Sequence, residues 1–78
     1  MELQPIEKQL LNLLADEWEK IGPPGFLETT ILAERLNLSL ERTKSIIHSL
    51  FVIGLVDTDK VEIYAAYLTP QGYEMARS

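Results

Sequence analysis

The chain has 78 residues, 24% of them charged and 46% hydrophobic, which excludes the disordered and fibrous classes and leads us to expect one small domain over residues 1–78. It holds no cysteine and 1 histidine, so neither a disulfide framework nor a structural zinc cluster is open to it, and no metal or cofactor is expected. Lys and Arg total 7 against 12 Asp and Glu, a net charge of −5, with the acid concentrated in residues 1–37. The most apolar run, Ile46 to Val56, contains His48, Ser49 and Gly54 and is too short to span a bilayer. The opening Met1-Glu2-Leu3-Gln4-Pro5 is acidic and polar, unlike a secretion signal, so a cytoplasmic location without a membrane partner is expected.

Pro5 suits the first turn of a helix, where its missing N–H costs nothing. From there Ile6, Leu10, Leu13, Leu14, Trp18 and Ile21 recur at helical spacing and predict an amphipathic helix of about four turns. Gly22-Pro23-Pro24-Gly25 stops it, and Phe26-Leu27-Glu28 is a short extended piece at most. Thr29 or Thr30 is the expected cap of a second helix, Ile31 to Asn37, with Leu32, Ala33 and Leu36 inward. Asn37 tolerates the left-handed conformation that ends helices, and Ser39 is a good N-cap for a third helix from Leu40 to about Ile53. Thr43, Ile46, Ile47 and Leu50 form its inward face, and Gly54 terminates it.

The period then changes. Leu55-Val56 and Val61 to Leu68 are rich in β-branched and aromatic residues, with Asp57-Thr58-Asp59-Lys60 as the expected polar connection of a hairpin. Thr69 as N-cap and Pro70 at the first position open a last helical segment to about Arg77.

Three stretches resemble bacterial winged-helix regulators. Ile31-Leu32-Ala33-Glu34-Arg35-Leu36-Asn37-Leu38-Ser39 is similar to their second helix and turn. Leu50-Phe51-Val52-Ile53-Gly54-Leu55-Val56 resembles the end of their recognition helix, and Leu68-Thr69-Pro70-Gln71-Gly72-Tyr73 the Leu-Thr-Pro-x-Gly that closes the wing in regulators of the MarR and PadR type. The resemblance covers about residues 6–77 and implies an α+β fold, mostly α. In it a three-helix winged helix-turn-helix carries a two-stranded β wing, Phe26-Leu27-Glu28 as a candidate third strand, and a short C-terminal helix.

By that resemblance helix 40–53 enters the major groove of double-stranded DNA, with Arg42, Lys44, Ser45 and His48 as contact residues. Ser39 and the helix N-terminus lie near a phosphate, and Lys60 at the wing tip touches the backbone or the minor groove. A two-fold homodimer would double the sparse positive charge and present two such helices. The expected function is that of a small DNA-binding, transcription-regulator-like protein.

Other features favour a protein-interaction module that does not bind DNA. Glu41 stands in the first turn of helix 40–53, the wing tip is net negative, and Phe51-Val52-Ile53 is apolar where those regulators carry charge. The candidate partner surface comprises Leu3 and Leu11, which fall off the main stripe of the first helix, with Phe51, Val52, Tyr64 and Tyr67. No enzyme is expected, because the lone His48 has no orienting acid in reach and there is no phosphate-binding glycine loop. Asp57-x-Asp59 lacks the remaining ligands of a calcium loop and reads as a turn.

Overall fold

A computed structural model describes residues 2–59 and 61–78. The elements run α1 (Pro5–Ile21), β1 (Phe26–Glu28), α2 (Thr29–Leu36), α3 (Leu40–Val52), β2 (Val56–Thr58), β3 (Ala65–Leu68) and α4 (Pro70–Ala76). The strands form one antiparallel sheet in the order β1-β3-β2, with Leu27 opposite Ala66 and Ala66 opposite Thr58.

α1 begins at Pro5, and the Gln4 N–H donates to the Glu7 carboxylate at 2.8 Å. Its fully buried face is Leu10, Leu11, Leu14 and Ala15, and Ile6, Leu13 and Trp18 of the expected stripe pack against the same core. α1 packs against α2, β1, β3 and α4 together, so the covered arc widens to take in Leu11 and Ala15. Ile21, expected inside, is 71% exposed in the last turn. Leu11 is fully buried and Leu3 half-buried against the core, so the expected partner surface on this helix does not form: both side chains serve the core instead.

α2 starts earlier than the sequence predicts, with Glu28 as N-cap and no side-chain cap. Thr29 is instead drawn inward: its hydroxyl donates to the Ile63 carbonyl at 2.5 Å and its N–H to the Tyr64 carbonyl at 2.7 Å. The helix start is thereby tied to the wing. Asn37 ends it at φ 58°, and the Leu38 N–H donates to the Ala33 carbonyl at 2.9 Å.

In α3 the expected inward face is the observed one, since Thr43, Ile46, Ile47 and Leu50 are all buried. After it Gly54 takes φ 82°, which lets the Leu55 N–H return to the Leu50 carbonyl at 3.0 Å.

The hairpin differs from expectation in its boundaries. Asp57 and Thr58 belong to β2, and Val61 to Tyr64 lie outside any strand. The reason is Asp59, whose carboxylate accepts the N–H groups of Tyr64 at 2.8 Å and Ala65 at 3.3 Å while its carbonyl accepts that of Ile63 at 3.1 Å. The chain is bent back at that point and pairing starts only at Ala65. Thr58 closes the hairpin from inside by donating its hydroxyl to the Ala65 carbonyl at 2.6 Å.

α4 opens as expected, with Thr69 Oγ1 accepting the Gly72 N–H at 3.0 Å. It lies on α1, where Tyr73 stacks on Trp18 with ring centroids 5.0 Å apart. Arg77 donates to Asp16 at 2.7 Å, Glu19 at 3.0 Å and Asn12 at 3.0 Å, and the Tyr73 hydroxyl donates to Glu19 at 2.7 Å.

Candidate nucleic-acid interface

α3 presents one apolar and one polar face because its buried positions follow the helical repeat. Burying Thr43, Ile46, Ile47 and Leu50 turns Glu41, Arg42, Ser45, His48 and Val52 to solvent, with Lys44 half-buried at the edge. The residues expected to meet DNA from this helix therefore share a face. Among the described residues Arg42 and Lys44 form no ion pair, as the three pairs are Lys20–Glu17, Arg77–Asp16 and Arg77–Glu19.

Ser39 caps the start of α3. Ser39 Oγ accepts the Arg42 N–H at 3.1 Å, and the Ser39 carbonyl accepts both the Thr43 N–H at 3.0 Å and the Thr43 hydroxyl at 2.8 Å. The N–H groups of Leu40 and Glu41 are first-turn donors without an intrahelical partner, and the Ser39 hydroxyl keeps its own proton to donate. Glu41 complements the positive helix end that a phosphate would otherwise approach.

The expected wing contact, Lys60, lies outside the described residues. The wing itself is shaped by Asp59, whose role spacing did not reveal. Partial desolvation pushes its carboxyl up, but hydrogen bonds from the N–H groups of Tyr64, Asp59 itself, Ala65 and Ile63 outweigh this and hold it below its ordinary range.

The residues of the expected apolar patch differ in exposure. Phe51 is half-buried against the core, because it sits beside the inward Leu50 and Ile47 rows of α3. Val52 is 67% exposed at the end of α3, and Tyr64 is 67% exposed just before β3. Tyr67 stands on the outer sheet face, where its ring neighbour is Phe26 at 5.1 Å. The candidate third strand, Phe26-Leu27-Glu28, forms as β1 and pairs with β3, and this pairing is what sets Phe26 beside Tyr67.

Three helices, a hairpin returning after the third, and a Thr-Pro-started closing helix define a winged helix-turn-helix fold. No protein-family model and no curated protein matches the sequence. Among solved structures, the chain is similar to the adhesin competence repressor of Streptococcus pyogenes, with a TM-score of 0.71 and 24% identity. The match takes in 97% of this chain and 54% of the repressor chain, so this chain spans about half the repressor's length.

Proposed function

We propose that the chain acts as a small DNA-binding, transcription-regulator-like protein, with α3 as its recognition helix and a homodimer as its working form. The observation that carries this reading is the outer face of α3, where Arg42, Ser45 and His48, with Lys44 at the edge, stand behind a Ser39-capped helix start and neither cation forms an ion pair among the described residues. The similar structure is that of a repressor, which agrees with this use of the fold. Fluorescence anisotropy on mixed-sequence duplex DNA, from low salt upward, tests it. Micromolar binding that weakens steeply with salt is expected. No binding at tens of micromolar protein overturns it.

A second reading is a winged helix that binds only protein. It is favoured by Val52 and Tyr64, both large apolar-bodied side chains held in solvent, and by the net charge of −5. Substituting Arg42 and Lys44 by alanine separates the two, since it removes DNA binding and leaves a protein complex intact.

A further inference from the structure

The sheet face turned away from the core carries an aromatic and acidic row that the DNA reading does not use. Strand register sets Phe26 opposite Tyr67 and Tyr67 opposite Asp57, and directly opposed residues share a face. The alternate row, Leu27, Ala66 and Thr58, is buried, so this one meets solvent. Phe26 is 41% and Tyr67 37% exposed, with their rings tilted 33° to each other. Asp57 Oδ1 accepts the Thr58 N–H at 2.9 Å, and its second oxygen has no hydrogen-bond partner among the described residues. Glu28 stands in the next outward register, opposite Ala65, and is exposed. Among the described residues neither Asp57 nor Glu28 forms an ion pair.

We infer that this sheet face docks an arginine-bearing segment of a partner protein. Ring faces beside carboxylates that form no ion pair among the described residues attract a cation from two directions. A guanidinium meets both at once: its plane stacks on a ring while its N–H edge donates to Asp57 Oδ2, which a compact, strongly hydrated ammonium does poorly. The described residues enclose no cavity, so a free small cation would stay solvated on one side. A chain segment adds contacts on either side of its arginine. Asp57 and Glu28 repel phosphate, so a nucleic acid is the wrong occupant here.

The test is an amide chemical-shift titration of the whole ¹⁵N-labelled chain with the peptide acetyl-Gly-Arg-Gly-Arg-Gly-amide, and with its lysine counterpart, at physiological salt. Shifts centred on Phe26, Asp57 and Tyr67 are expected, with the lysine peptide weaker by about fivefold. Asp57→Asn keeps the oxygen that accepts the Thr58 N–H and so preserves the strand, yet is expected to weaken the arginine peptide by about fivefold. Tyr67→Ala is expected to do the same. Shifts centred instead on the acidic turn Asp16-Glu17-Glu19 of α1, equal binding of both peptides, or undiminished binding by Asp57→Asn each overturn the proposal. Alanine at Arg42 and Lys44 leaves peptide binding unchanged, so the outcome is separate from that for DNA.

Discussion

At Arg42 and Lys44 the structure shows cations that no acid engages among the described residues, on a helix face shared with Glu41, Ser45 and His48. A phosphate contact by either should appear in the salt dependence: each single alanine variant is expected to lower the slope of log K against log salt by about one. Circular dichroism should be unchanged, because neither charge holds the fold. A slope that stays the same in both variants would remove these residues from the interface.

The cluster joining α1 and α4 behaves differently, because its groups depend on one another. The hydrogen bond from Arg77, then that from Tyr73, holds the Glu19 carboxyl below its ordinary 4.5, and Glu19 in turn pushes the Tyr73 phenol above its ordinary 10.0. A depressed carboxyl contributes stability that is fully present above the unfolded value and lost as pH falls through the folded one. A raised phenol contributes stability that is present below the unfolded value and lost as pH rises through the folded one. Trp18 stacks on Tyr73, so its fluorescence should change in two transitions, one below pH 4.5 and one above pH 10.0. Replacing Glu19 by Gln should abolish the acid transition at this site; an unaltered profile would exclude the cluster as its source.

Among the elements, the closing helix shows what its motif is for. A Cβ on Gly72 would overlap the Leu55 carbonyl oxygen, and Thr69 donates its hydroxyl to that same carbonyl at 3.0 Å. The Thr-Pro-x-Gly pattern therefore seats α4 against Leu55, in the turn between α3 and β2, as well as starting a helix. Gly72→Ala is expected to destabilise the protein by about 1–3 kcal/mol, measured by urea unfolding, against near-neutrality for Gln71→Ala on the exposed side. Ser39→Ala should cost about 1 kcal/mol through loss of the α3 cap. It should also weaken DNA binding more than that stability loss accounts for, since the same hydroxyl sits where a phosphate would approach.

Helix starts and stops were legible because they are local chemistry: Pro5, Asn37, Ser39, Gly54 and Thr69-Pro70 each act within a few residues. The hairpin was less so. Asp59 reaches five residues forward to the Tyr64 N–H, and nothing in β propensity marks where such a carboxylate will delay pairing. Thr29 was read as a cap for the same reason, since the Ile63 carbonyl that claims its hydroxyl is 34 residues away.

At the scale of the molecule, α3 carries Arg42 and Lys44 without an ion pair among the described residues, beside the acid Glu41, while the outer sheet face carries Asp57 and Glu28. Two such cations per copy set the electrostatic scale: the slope of log K against log salt should be about −2 for a single copy and about −4 for two copies bound together. Sedimentation of the free chain and of its DNA complex decides which applies. A slope steeper than two copies allow would mean that other basic residues, Arg35 or Lys60 among them, join the contact.

What this sequence determined by itself is the succession of elements and the polar face of α3, because periodicity, caps and turn residues act over one or two helical turns. Tertiary structure alone decided how wide the buried arc of α1 is, since α2, β1, β3 and α4 all press on it and draw Leu11 and Ala15 inward. It also decided that Phe26, Tyr67 and Asp57 share one outer row. Their positions in the chain lie far apart, and only the pairing of edge strands with β3 sets them side by side.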